Sequence, residues 1–219
     1  MKLLFISLGC DKNLVDSEEM LGMLAADGHE IVDDEDEAEV IIVNTCCFIG
    51  DAKEESVNTI LEMAEKKKAG TCKVLIVTGC MAQRYKKEIS EEIPEVDAIL
   101  GTTSYGDISK AVKEAQAGRH FEEYKSIDFL PNISGKRMLT TGGHFAYLKI
   151  AEGCDKHCTY CIIPKVRGNY RSVPMEQLLK EAKELAEGGV KELILVAQET
   201  TVYGQDIYGE KSLHRLLRE

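Results

Sequence analysis

Short apolar runs punctuate the first hundred residues, at Leu3–Ser7, Val40–Val43, Val74–Val77 and Ala98–Leu100. Each is continuous rather than alternating and rich in leucine or β-branched residues, which predicts strands buried on both faces. Between these runs the apolar positions recur at helical spacing. Leu14, Leu21 and Leu24 share one face at i, i+7 and i+10, and Val57, Ile60, Leu61 and Ala64 do so at i, i+3, i+4 and i+7. Gly28 and Gly70 stand where these helices should end. Strands alternating with helices predict an α/β fold, with a doubly wound parallel sheet spanning residues 1–117. The acidic run Asp33 to Glu39 reads as a solvated loop.

The rhythm stops between Gly118 and Gly143. Pro131, Asn132, Ser134, Gly135, Gly142 and Gly143 predict a linker over residues 118–142. A second unit, residues 143–219, opens on the strand Phe145–Ile150, which runs into Gly153-Cys154. Pro174 then starts a helix with Leu178, Leu179, Ala182, Leu185 and Ala186 on one face. Gly188-Gly189 closes it, Glu192–Ala197 forms the next strand, and Ser212 to Glu219 reads as the opening of another helix. One βαβ unit of this kind leaves a strand edge and a sheet face uncovered. The expectation is therefore a truncated second domain, the front part of a longer protein.

Hydrophobic residues at 44% and charged residues at 30% are enough for a core and a soluble surface. No run approaches the roughly 18 apolar residues of a membrane helix, so a membrane partner is not expected. The formal charge of −11 argues against nucleic acid held by bulk charge. Eight cysteines change the picture more. A disulfide scaffold needs a secretory signal. The apolar stretch Leu3 to Leu8 is shorter than the roughly 7–15 residues such a signal uses. The expected location is cytoplasmic with reduced thiols, whose roles are then metal binding, redox chemistry or burial.

Six of the eight sort into two sets of three. Cys154, Cys158 and Cys161 form a C-x₃-C-x₂-C run. Three thiolates this close repel one another unless a cation or cluster neutralises them. Three ligands suit a [4Fe–4S] cluster with one iron left open to a small ligand; zinc with a fourth ligand from elsewhere is the alternative. Cys10, Cys46 and Cys80 each follow an apolar run and so fall at the carboxyl ends of strands, where open α/β sheets gather their ligands. A second open cluster is the favoured reading, with three buried apolar cysteines as the alternative. Cys47 and Cys72 fit neither set and are expected to be bystanders.

The C-x₃-C-x₂-C run after a strand resembles the radical S-adenosylmethionine (SAM) enzymes. The continuation Ile163-Pro164-Lys165-Val166-Arg167-Gly168-Asn169-Tyr170-Arg171-Ser172-Val173-Pro174 resembles the signature of the methylthiotransferases among them. The three dispersed cysteines in Gly9-Cys10, Asn44-Thr45-Cys46 and Thr78-Gly79-Cys80 match the family's N-terminal domain. Two branches compete. One modifies a tRNA adenosine near the anticodon; the other methylthiolates an aspartate of the twelfth small-subunit ribosomal protein. Cys10-Asp11-Lys12-Asn13-Leu14-Val15-Asp16-Ser17-Glu18, Arg137 to Thr141, His144 to Cys154 and Gln198 to Gly204 resemble the ribosomal-protein branch. Gly142 departs from a usual proline, and Cys47 departs by sitting beside a ligand cysteine.

The resemblance implies a second unit that begins a radical-SAM partial barrel, two [4Fe–4S] clusters, SAM, and an electron donor protein. The cluster on Cys154, Cys158 and Cys161 would chelate SAM and cleave it to a 5′-deoxyadenosyl radical, which takes a hydrogen from the aspartate β-carbon. The cluster on Cys10, Cys46 and Cys80 would supply or carry the sulfur, and a second SAM the methyl group. Tyr160 is then expected against the adenine, or else is a core aromatic, and Gln198 is expected to face the cofactor. Arg167 and Arg171 suit either a ligand carboxylate or a structural salt bridge. The competing readings are the tRNA-modifying branch and a non-catalytic iron–sulfur or zinc module.

Overall fold

The apolar runs become strands, linked by helices in chain order. These are β1 (Lys2–Ser7), α1 (Asp11–Ala26), β2 (Glu30–Ile31), β3 (Val40–Thr45), α2 (Gly50–Lys68) and β4 (Val74–Gly79). After them come α3 (Cys80–Arg84), α4 (Lys86–Glu92), β5 (Ala98–Leu100), α5 (Ile108–Gln116) and β6 (Phe121–Glu123). The structure is a computed structural model that describes residues 1–131 and 137–219. Of the residues expected in the linker, Asn132, Ser134 and Gly135 lie outside the described residues. The chain divides into two units, Met1–Met138 and Leu139–Glu219.

In the first unit the strands form one sheet of order β2-β1-β3-β4-β5-β6, parallel throughout. Every residue of β3 and β4 is buried, as a sheet covered on both faces demands. On one face Leu3, Val40, Ile42, Val74, Ile76 and Leu100 pack with Met20 and Leu24 of α1 and with Ile108, Ala111 and Val112 of α5. Strand side chains alternate, so Ile41, Val43, Leu75, Val77 and Ile99 point to the opposite face, where α2 lies on β3 and β4. The chain goes from β1 out to β2 and then back past β1 to β3. That reversal opens a crevice at the carboxyl ends of β1 and β3.

Two features depart from the pattern. Helix α2 buries Ser56, Ile60, Met63 and Ala64, whereas Val57 and Leu61 are 37% and 47% exposed. The helix is turned so that the Ser56 hydroxyl meets the backbone of Cys46, accepting from its N–H at 3.0 Å and donating to its C=O at 2.8 Å. A polar contact therefore sets the buried face. The pattern also predicts no strand after Gly118, yet β6 extends the sheet. Its three residues, Phe121-Glu122-Glu123, carry no apolar run to announce it. Farther on, Arg137 Nε lies 3.2 Å from Glu18 Oε2 with both side chains buried, and the Met138 N–H donates to the Glu18 carbonyl at 3.0 Å.

The second unit holds β7 (Phe145–Lys149), β8 (Ala151–Glu152), α6 (Ile163–Arg167), β9 (Arg171–Ser172), α7 (Met175–Glu187), β10 (Glu192–Val196), α8 (Gln205–Tyr208) and α9 (Leu213–Leu216). β7 and β10 pair in parallel, with α7 between them in sequence. Leu148, Ile150, Leu178, Tyr203 and Leu216 form the core, but Ala186, expected on the apolar face of α7, is exposed. β8 and β9 pair antiparallel and bracket the cysteine-bearing loop. Among the described residues no helix is long and apolar enough to cross a membrane.

Candidate metal centres

Cys46 and Cys80 directly follow β3 and β4, and Cys10 follows β1 after Leu8 and Gly9; the three strands are adjacent, and the cysteines flank or adjoin the β1/β3 crevice. Cys10 is the N-cap of α1, Cys80 opens α3, and Cys46 precedes α2 by a short turn. Cys10 is exposed, while Cys46 and Cys80 are nearly covered. The backbones approach closely here. Gly9, at φ +93°, would place a Cβ 2.9 Å from Cys46 Sγ, and Gly79, at φ +94°, would place one 2.5 Å from the Thr45 carbonyl. Only glycine lets the strand ends pack this tightly and turn into their helices.

A buried polar network ties these ends together. Asn13 Nδ2 donates to the carbonyls of Leu8 and Thr45, both at 3.0 Å, and the Cys80 thiol donates to Asn13 Oδ1 across 3.9 Å. Asn44 Nδ2 donates to the Asn13 carbonyl and to Ser17 Oγ. Thr45 Oγ1 donates to the Thr78 carbonyl and accepts from the Met81 N–H. Cys47, the neighbour of Cys46, points elsewhere: its thiol donates to the Cys80 carbonyl at 3.3 Å. Cys72 donates to the Val74 carbonyl, and burial pushes its thiol pKa up. Polar residues one turn into a helix read as surface in a sequence, so pattern analysis passes over Asn13; its only signal is its spacing after Cys10.

Cys154, Cys158 and Cys161 share the loop that leaves β8, with Cys158 exposed and the other two half-buried. Gly153, at φ +75°, lies so near the carbonyls of Gly168 and Asn169 that a Cβ would collide with both. The Cys154 N–H donates to the Gly168 carbonyl at 3.1 Å, Asp155 Oδ1 accepts from the Tyr170 N–H at 2.8 Å, and the Cys161 N–H donates to the Cys158 carbonyl. Lys156 pairs with Glu199 at 2.6 Å. That lysine and Thr201 hold the Glu199 carboxyl down at about 2.

Beneath the loop sits a buried charge cluster missed at the level of sequence. Glu152 Oε2 lies 3.0 Å from Arg167 Nη1 and 3.6 Å from Lys149 Nζ, and its Oε1 accepts from Gln198 Nε2 at 3.1 Å and from the Gly153 N–H at 3.2 Å. Burial alone would raise the Glu152 pKa; Arg167 and Lys149 outweigh it and hold the group well below the carboxylate range. Arg167 is thus a structural partner, and Arg171 donates to the carbonyls of Asn169 and Arg167. Gln198 Oε1 is buried without a hydrogen-bond partner among the described residues. Tyr160 is 86% exposed, which excludes a core role within its unit.

No group of three His, Cys, Asp or Glu among the described residues converges tightly enough to grip a single metal ion. A cubane cluster does not require that convergence, because each cysteine binds a different iron. Soft thiolates on three strand ends, or on one short loop, suit iron–sulfur chemistry better than a lone hard cation.

Residues 2–101 match the family described as "Uncharacterized protein family UPF0004", and residues 148–218 match the radical SAM superfamily. The chain is 66% identical over its whole length to the ribosomal protein uS12 methylthiotransferase RimO of Lachnoclostridium phytofermentans, covering 50% of that protein. It is 53% identical to the enzyme of the same name from Clostridioides difficile, covering all of this chain and 49% of that one. The chain thus spans about half the length of the curated relatives it matches. Among solved structures, the radical SAM methyltransferase TsrM from Kitasatospora setae, with tryptophan and a SAM analogue bound, superimposes with a TM-score of 0.59 at 13% identity. The match covers 99% of this chain and 50% of that one, a likeness of fold. On the two domain matches and the RimO relatives together, the chain belongs to the radical SAM methylthiotransferase family.

Proposed function

We propose that this chain is part of an enzyme that adds a methylthio group to the β-carbon of an aspartate in ribosomal protein uS12. The observation that carries the reading is the gathering of Cys10, Cys46 and Cys80 at one edge of a parallel sheet, in a chain that also bears the C-x₃-C-x₂-C loop. Each set of three would hold one [4Fe–4S] cluster, three thiolates being one ligand short of the four irons. When bound, the clusters and SAM supply the electron, the radical and the sulfur that substitution at an unactivated C–H bond requires.

The chain's own residues bind and orient. The start of α1 sets Cys10, the turn before α2 sets Cys46, and the start of α3 sets Cys80. The Glu152 cluster and the close approach at Gly153 fix the base of the second cysteine loop. Tyr160 offers an exposed ring to the adenine of SAM, and Gln198 Oε1 offers an unused buried acceptor to the cofactor. The net charge of −11 steers the enzyme to a basic ribosomal protein rather than to nucleic acid. An electron donor protein would reduce the bound cluster, and the site of action is the cytoplasm, where thiols stay reduced.

Anaerobic reconstitution tests the reading. About eight iron atoms per folded chain support two clusters, and four or fewer refute them. Replacing Cys154, Cys158 and Cys161 with Ala should abolish SAM cleavage and keep the absorption of the first cluster. Surviving cleavage would overturn the division into two sets. Methylthio-adenosine on tRNA, with no mass gain on uS12, would establish the tRNA-modifying branch instead.

A further inference from the structure

We infer that Asn13 is a positioning residue that ties the Cys10 and Cys46 arms together, beside Cys80, in one iron–sulfur site; this rests on the cluster reading for Cys10, Cys46 and Cys80. The sheet ladder stops short of the cysteines. Its last β1/β3 pair is Ser7 with Asn44, and its last β3/β4 pair is Thr45 with Gly79. Past those points the Leu8 N–H still donates to the Asn44 carbonyl at 2.9 Å; each chain then turns toward its own helix, and among the described residues no further ladder hydrogen bond sets the spacing of the thiols.

Asn13 fills that gap with one side chain. It is fully buried in the first turn of α1. Its Nδ2 donates to the Leu8 carbonyl, two residues before Cys10, and to the Thr45 carbonyl, one residue before Cys46. Both partners are acceptors, so the amide has only one usable orientation. Oδ1 must then face the other way, toward Cys80 Sγ at 3.9 Å. The amide therefore ties the Cys10 and Cys46 arms together, and it meets the Cys80 arm only through the S–H of the metal-free thiol, a bond given up when that sulfur ligates iron.

The asparagine is held in turn. Its carbonyl accepts from Asn44 Nδ2 at 3.0 Å and from Ser17 Oγ at 2.8 Å, and Ser7 Oγ lies 2.7 Å from Ser17 Oγ. The helix turn that carries Asn13 is thus hydrogen-bonded to Ser7 of β1 and to Asn44 of β3. Groups that orient metal ligands from behind are worth about 10–100-fold in metal affinity. Aspartate has the same shape, but an ionised carboxylate cannot donate to either carbonyl and adds negative charge beside the thiolates.

The test uses the whole chain with Cys154, Cys158 and Cys161 replaced by Ala, so that only the first site loads. Asn13→Asp and Asn13→Ala are compared with this background after anaerobic reconstitution. The readouts are iron per chain, the rate of iron release to a chelator, the electron paramagnetic resonance spectrum and the midpoint potential. Circular dichroism of the metal-free proteins reports the fold. The expected result is a retained fold with iron release about tenfold faster or more. The fraction that loads should show an altered spectrum, with the Asn13→Asp potential more negative than background. Normal loading with an unchanged spectrum and potential in both variants overturns the proposal. Loss of fold in both overturns it too, because Asn13 would then serve the fold rather than the site. No iron uptake by the background chain overturns the cluster reading itself, and the proposal falls with it.

Discussion

Replacing Glu152 with Gln removes one charge and almost no volume, from a side chain that is 3% exposed. Arg167 and Lys149, 2% and 8% exposed, would be left facing an amide. At 3.0 and 3.6 Å, each attraction to Glu152 is about 5 kcal/mol at an effective dielectric near 20, offset by the cost of burying the ions. Removing one member of a buried ion pair costs about 3–5 kcal/mol, because the remaining charge stays desolvated. The unit has 81 residues, Leu139–Glu219, so even 3 kcal/mol would lower its melting temperature by more than about 10 °C. Thermal and urea unfolding, with hydrogen exchange read separately on β10 and on β4, should show the loss in the second unit and leave β4 unchanged. A loss under about 1 kcal/mol would mean that water reaches the cluster and that the ion pairs do not hold the loop base.

Three further outcomes follow from the packing. Gly153→Ala should cost at least about 2 kcal/mol from the left-handed backbone and the collision with the Gly168 and Asn169 carbonyls. Hydrogen exchange at the Cys154 N–H should then rise, and unchanged protection there would contradict the close approach. In the native metal-free chain, alkylation followed by mass spectrometry should label Cys10 and Cys158 first. Cys47 and Cys72, each 2% exposed, should react about 100-fold more slowly, and equal rates would disprove their burial. Tyr203→Phe keeps the buried ring but deletes the hydroxyl that donates to the Val173 carbonyl at 2.9 Å. It should cost about 1–2 kcal/mol by denaturant unfolding, and no cost would mean that water replaces the bond.

What could be read in the chain follows what each residue contributes locally. The β-branched runs Val40–Val43 and Val74–Val77 announce central parallel strands because burial on both faces leaves no room for alternation. Cys10, Cys46 and Cys80 were legible as a set because each follows such a run, and a parallel sheet puts equivalent strand ends on one edge. The helix faces were less legible. Ser56 is buried in place of Val57 because its hydroxyl serves the Cys46 backbone, a partner ten residues away that periodicity does not weigh. Edge strand β6 and the two-residue strands β2, β8 and β9 are too short to carry a pattern. Asn13 and Glu152 escaped for one shared reason: a polar residue reads as surface until its buried partners are known.

The strand order also dictates a sequence of events during synthesis. β1 is made before β2 and β3 but lies between them, so it has no inner neighbour until Val40–Thr45 has emerged. The site edge is completed only by β4, whose last residue is followed directly by Cys80. For that interval the nascent chain carries Cys10, Cys46 and Cys47 as thiols on unfinished structure, open to oxidation and to capture of stray metal. Once β4 docks, Cys47 turns its sulfur to the Cys80 carbonyl and is withdrawn from that competition. On the proposed cluster reading, ligand choice at this edge would follow the completion of folding, and iron supplied after β4 has docked would meet Cys46 with Cys47 already withdrawn.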